Sequence, residues 1–370
     1  MRLRLARIGA ALIGCTLLAT ACGSGDSSTA ATDEAGRLVV NGEVIADAAL
    51  LDAAKAEGRV SLYTAYLQDV AQKFTDDFTK QTGIDVESVR LTPTQLQERT
   101  ISEGGAKLLG ADVIQTSDPL NNSALVDAGV IKCDVLDEAF TATIDDRYLD
   151  PKGCAYPTTV STMVIAYNTA VLGSTTPPKT WQDLLKPEYK GKIGVLIAGV
   201  GGSAWSNFMY LREKFGVEYW ENLAAQNVKI QTSSATLGPQ VERGEIPIGI
   251  VSASTAMTSK ANGAPVDFVL PSDGLADYGT YTLLSEPSVV KDSHPNAAQL
   301  FRNWLYSKAG QESVAAANGG AWAVRTDAAA PEGLPAYTDL PMVVLDLDQW
   351  RRVQEDWVAE WNDIFNYQAN

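Results

Sequence analysis

Two periods of hydrophobicity alternate along most of this chain. Residues 60–63 form a short strand-like apolar run, Val70, Phe74 and Phe78 then recur at helical spacing up to Thr82, and residues 84–91 alternate as a second strand. Gly83 separates the helix from that strand. The unit is strand, helix, strand, and it repeats: Thr92 and Pro93 open a helix that closes at Gly104 and Gly105, and a strand follows over 111–116. Such alternation predicts an α/β fold with parallel strands and right-handed crossovers.

A second half begins after the extended run TTVSTMVIAYN at 158–168, which is long enough to pass from one lobe to another. A helix, a loop and a strand are expected over 179–195, a glycine-rich turn and helix over 199–216, and two further strands over 228–257, each emptying into a Ser/Thr cluster. Residues 266–274 return the chain, and the last hundred residues are helix-rich, amphipathic at 297–305 and studded with aromatics at 350–361.

In open α/β sheets, ligands lie beyond the carboxyl ends of the strands. In the first half those ends carry Thr64, Tyr66, Thr92, Thr94, Gln95, Ser117 and Asp118; in the second, Gly202, Ser203, Trp205, Ser234, Ser252, Ser254 and Thr255, with Tyr278 on the return. A single such segment serves equally well to cap the next helix, but several in succession at one end mark a site. Gly201, Gly202 and Ser203 open one helix and Thr92 to Gln95 another, so both can aim free N–H groups at an anion, while the small hydroxyls share its charge. Trp205 and Tyr66 suit apolar walls, and Arg90 or Arg99 offers a fork for a carboxylate or phosphate.

Composition adds size and compartment. The 370 residues are 45% hydrophobic and 20% charged, more than one core usually serves, so two lobes are expected. A formal charge of -16 argues against nucleic acid as a partner. At the start, Arg2, Arg4 and Arg7 precede an apolar run over 8–19, shorter than the roughly 20 residues of a membrane span. Ala19, Thr20 and Ala21 then lead to Cys22, which resembles the lipobox of bacterial lipoproteins; a plain secretory leader is the alternative. Residues 1–21 are thus expected as a leader, Cys22 as the lipidated residue, and 22–38 as a flexible tether to the outer face of the cytoplasmic membrane. In that oxidising setting Cys133 and Cys154 are expected to pair as a disulfide.

The string TWQDLLKPEYKGKIGV, together with GRVSLYTAY, ADVIQTSD, VERGEIPIGI and HPNAAQLFRNWLYSKAGQESVA, resembles the extracellular solute-binding proteins of bacterial ABC importers, in the group that contains the ferric-iron-binding proteins. The resemblance implies a two-lobed type II periplasmic-binding fold, two mixed sheets flanked by helices with a ligand cleft at a two-segment hinge. It places lobe one at 39–160, lobe two at 161–272, and a return with the C-terminal helices at 273–370, the crossings lying near 159–165 and 271–281. It also implies a monomeric trap that closes on a small solute, meets a permease, carries no cofactor and does no chemistry. The chain departs from the ferric binders where they resemble one another in an adjacent tyrosine pair: residues 252–256 read SASTA. Iron would have to rely on Tyr66, Asp118, Tyr278 and Tyr281. His294, the sole histidine, is expected at a helix start on the surface. The favoured ligand is therefore an organic or phosphorylated anion, with iron as the alternative. A ligand sensor needs the same cleft, and a hydrolase of Ser-His-Asp type would depend on His294 with no G-x-S-x-G turn to serve it.

Overall fold

The computed structural model describes residues 29–319, 321–343 and 346–368. The leader, Cys22 and the tether up to residue 28 lie outside the described residues. The rest of the tether differs from expectation. β1 (Ala30–Thr32), β2 (Leu38–Val40) and β3 (Glu43–Ala46) form an antiparallel meander, in which Leu38 and Val40 are buried. The polar stretch between β1 and β2 is a turn, since the Asp33 carboxylate accepts the N–H groups of Ala35 and Arg37 and the Arg37 guanidinium. All of β1 is exposed, so no apolar alternation announces it.

The first lobe follows from local signals. α1 (Ala48–Glu57) starts on the Asp47 carboxylate, which accepts the Leu50 N–H, and β4 (Arg59–Thr64) follows. α2 (Gln68–Thr82) buries Val70, Phe74 and Phe78 and stops at Gly83, whose φ of 76° is the left-handed cap that glycine adopts most easily. β5 (Asp85–Arg90), α3 (Pro93–Gly105), β6 (Val113–Thr116) and α4 (Pro119–Asp127) complete the alternation, and β7 (Ile131–Lys132), the short α5 (Glu138–Thr141) and β8 (Tyr156–Ser161) follow. Cys133 and Cys154 are bonded, closing a separation of 21 residues. Reduction should cost roughly 3 kcal/mol by loop entropy, read as a lower midpoint in denaturant with dithiothreitol present.

Thr162 alone separates β8 from β9 (Met163–Asn168), and the two strands belong to different sheets. The second sheet takes up β10 (Ile193–Leu196), β11 (Lys229–Gln231), β12 (Ile248–Ser252) and β13 (Val266–Val269), with α6 (Thr169–Leu172), α7 (Gly202–Phe215), α8 (Val217–Ala224), α9 (Ser234–Glu242) and α10 (Ala253–Ala261) between them. Its order is β11-β10-β12-β9-β13, with β10 parallel to β11 and β12 and with β9 antiparallel to its neighbours. The chain then returns through β14 (Leu275–Ala276) into β15 (Tyr278–Ser285). α11 (Pro295–Tyr306), α12 (Lys308–Ala317) and β16 (Trp322–Ala323) complete the first lobe, whose sheet runs β16-β8-β15-β6-β4-β5 with β7 beside β15. Both sheets are mixed, as the family resemblance implies, with β9 and β15 running antiparallel where the alternation alone predicts parallel strands.

The crossings touch: the Thr162 hydroxyl donates to the Ala276 carbonyl at 2.8 Å. β17 (Met342–Val343) pairs with β14, and α13 (Leu347–Ile364) follows. α13 packs mainly on the second lobe, where the Trp361 ring meets Phe208 at 5.3 Å and Glu360 pairs with Arg212 at 2.7 Å. His294 does begin α11, yet its ring is held: Nδ1–H donates to Asp112 at 3.0 Å and Nε2 accepts from Arg59 at 3.2 Å, the tautomer following from those partners.

Asp277, in the second crossing, accepts the Tyr148 hydroxyl and is 6% exposed; burial pushes its carboxyl up to about 7. The native state therefore holds this proton where the unfolded chain has released it, and stability falls as pH rises from about 4 to about 7. Asp277→Asn keeps an acceptor for Tyr148 and should make that slope shallower in thermal melts across the same window.

Candidate functional site

The first lobe offers the start of α3 and the ends of β6 and β8 to this site, and the second offers the starts of α7, α9 and α10. Asp118 links the two lobes. Its Oδ1 accepts the Leu120 N–H at 3.0 Å and so caps α4, while Oδ2 accepts the Gly202 N–H at 2.9 Å from the start of α7. The α7 N-terminus, expected to face an external anion, is met here by the protein's own carboxylate. Asp118 is 4% exposed, and burial raises its carboxyl above the ordinary range against the pull of the Gly202 and Leu120 N–H groups.

Close approach explains the glycines here. Gly201 has φ 76° and ψ -167°, a region essentially reserved for glycine, and a Cβ on it would stand 2.6 Å from Asp118 Oδ2 and 4.0 Å from Thr94 Oγ1. A Cβ on Gly202 would stand 3.2 Å from Ser117 Oγ. Thr94, Ser117, Asp118, Gly201 and Gly202 are thereby brought together.

A second group gathers hydroxyls. The Ser252 hydroxyl caps α10 by accepting the Thr255 N–H at 3.2 Å and lies 3.1 Å from Ser254 Oγ and 2.7 Å from Thr255 Oγ1. The Ser252 N–H donates to Ser234 Oγ at 3.2 Å, so the starts of α9 and α10 adjoin. Tyr278 ties this group to the crossings: its hydroxyl donates to the Thr162 carbonyl at 3.4 Å. Burial pushes the Tyr278 phenol up to about 12, against hydrogen bonds with Ser161, Ser203 and Ser252.

Other expected residues stand elsewhere. Thr64 is fully buried beneath the site, donating to Gln115 at 3.2 Å and accepting the Tyr66 N–H. Tyr66 lies 3.1 Å from the Thr159 hydroxyl, and burial pushes its phenol up to about 12 as well. Thr92 and Gln95 cap α3 reciprocally. Trp205 is buried with its indole N–H unpartnered. Arg99 is committed to Glu103 at 2.7 Å and lies over the Tyr63 ring, and Arg90 ends β5 exposed. Tyr281 packs in the cluster beneath α3 and α4 and lines a separate cavity, apart from the Tyr278 hydroxyls. Of the oxygens suggested for iron, Tyr281 thus stands apart from Tyr278, and among the described residues no group of three or more His, Cys, Asp or Glu stands ready for a metal.

Sequence reasoning missed Ser161 and Asn207. Ser161 ends β8 and touches the Tyr278 hydroxyl, but the crossing run reads only as a linker. Asn207, one turn beyond Ser203 on α7, is 1% exposed with both amide atoms unpartnered; its signal is a polar residue among apolar neighbours on a buried helix.

Residues 111–352 match the family described as bacterial extracellular solute-binding protein. The Fe(3+)-binding periplasmic protein of Serratia marcescens is 27% identical over 308 residues, covering 80% of this chain and 88% of that one. A putative 2-aminoethylphosphonate-binding periplasmic protein of Salmonella typhimurium is 25% identical over 306 residues, covering 76% and 86%. Among solved structures, the periplasmic binding protein AfuA of Actinobacillus pleuropneumoniae, with fructose-6-phosphate bound, superposes with a TM-score of 0.73 at 18% identity over 84% of this chain and 99% of that one.

Proposed function

Because the chain belongs to the bacterial extracellular solute-binding proteins, we propose that its solute is a small organic or phosphorylated anion, held between the lobes and delivered to an ABC permease. The observation that carries this reading is that Ser203 and Ser252 meet the Tyr278 hydroxyl while Ser234, Ser254 and Thr255 gather around Ser252 at two adjoining helix starts. These are neutral donors, and helix N-termini add positive potential, which is the chemistry of anion capture. Ferric iron asks for anionic oxygens instead, and burial pushes both the Tyr66 and Tyr278 phenols up, which adds to the cost of ionising them. Asp118 sharpens the class. A carboxyl at the cleft repels a second negative group but accepts from a hydroxyl or an amine, so the anion carries a hydrogen-bond donor at its other end.

Iron remains the second reading on the strength of the Serratia relative. Cys22 serves in this proposal as a lipid anchor that keeps a monomeric trap beside its permease. A thermal-shift screen of hydroxylated and aminated phosphates, phosphonates and carboxylates tests the ligand class. At least one should raise the midpoint, with the effect lost in Ser252→Ala. A visible tyrosinate-to-iron band that disappears in Tyr278→Phe would overturn it.

A further inference from the structure

A cavity of about 530 Å³ lies outside the interlobe site, walled by α4, by residues 147–155, and by Asp277, Tyr281 and Arg351. Its lining includes two deeply buried acceptors without donors. Asp277, 6% exposed, has one carboxyl oxygen on the Tyr148 hydroxyl and leaves Oδ1 without a partner among the described residues, a free acceptor once the carboxyl ionises above about pH 7. Asn122, 7% exposed, leaves its Oδ1 unpartnered too. Unmet buried acceptors are costly, and a ligand bearing N–H groups relieves them.

The remaining charges divide by commitment. Arg147 is held by Asp145 at 2.9 Å, and the Asp150 carboxylate is occupied by the N–H groups of Lys152, Cys154 and Ala155. The Lys152 ammonium is exposed with no partner among the described residues, and Arg351 reaches Asp127 only at 3.7 Å. The cavity therefore has acceptors in its buried wall and cations at its exposed edge, with the Tyr148 and Tyr281 rings also on its wall.

We propose that this cavity is a second binding site, for a small zwitterion whose ammonium meets Asp277 and Asn122 and whose carboxylate or phosphonate meets Lys152 and Arg351. Aliphatic ω-amino acids are the simplest members of that class. The site adjoins the hinge, because Asp277 donates its N–H to Val343 and directly precedes Tyr278.

The test is isothermal titration of the full-length protein at pH 8, where Asp277 is ionised and the ligand amines stay protonated, with a homologous series of ω-amino acids, from β-alanine to 6-aminohexanoate, beside the alkylamine and alkanoate of each length. One ω-amino acid should bind saturably, with both singly charged analogues weaker by about tenfold or more. Lys152→Ala, on an exposed side chain that leaves the fold alone, should weaken it by a similar factor, and Asp277→Asn should abolish it. Ser252→Ala should leave it unchanged, which separates this site from the interlobe one. Failure of every ω-amino acid to outbind its singly charged analogues would overturn the proposal. So would binding that survives Asp277→Asn or disappears in Ser252→Ala.

Discussion

Gly201→Ala is expected to remove tight solute capture while leaving both lobes folded. The new Cβ would stand 2.6 Å from Asp118 Oδ2, a contact that exists only when the lobes are together. In the open form the Asp118 side chain has moved off with its own lobe, and only the local backbone strain at φ 76° persists. A penalty of about 2 kcal/mol confined to the closed state weakens binding about thirtyfold, because a solute shifts the hinge only by its preference for closure. Calorimetry reads the loss in affinity, and small-angle scattering of the variant with solute present should show the more extended form. Wild-type affinity in Gly201→Ala would mean that α7 and Asp118 do not meet during capture.

Asp118→Ala should have the next largest effect, and Asp118→Asn should separate its causes. Alanine deletes the α4 cap, worth about 1 kcal/mol, and the charge-assisted bond from the Gly202 N–H, worth about 1.5–3 kcal/mol. Asparagine keeps an oxygen for one of those donors and should retain most of the closure. The carboxyl also brings a pH dependence. Burial raises it above the ordinary range, so the wild type loses stability as pH climbs through and beyond that range, and Asp118→Asn removes this share of the slope while the Asp277 share remains. Melts of the three proteins from pH 4 to 8 check the order and the slope.

Much of the architecture is legible in the sequence because its punctuation is local. Gly83 ends a helix whose apolar face repeats every turn, Thr92 and Pro93 start the next, and each strand end carries its hydroxyls in order. The Ser/Thr cluster at 252–255 is visible for the same reason, since one residue both ends β12 and caps α10. What escapes is long-range or lacks a pattern. The meeting of Asp118 with Gly202 spans 84 positions and depends on how the lobes close, which no local period encodes. Tyr278 and Tyr281 look equivalent in sequence, but their odd spacing of three on β15 sends them to opposite faces of the sheet. Arg99 reads as a free fork only until Glu103, one helical turn on, claims it. The β1–β2 meander shows no alternation because β1 buries nothing.

The central claim is that neutral donors around Tyr278 hold an organic anion. Native mass spectrometry of the purified full-length protein, followed by denaturation and identification of whatever is released, tests it most directly. The account predicts one bound organic molecule with a phosphate, phosphonate or carboxylate at one end and a hydroxyl or amine at the other, lost in Ser252→Ala. A bound mass of a single iron, retained in Ser252→Ala and lost in Tyr278→Phe, would contradict it.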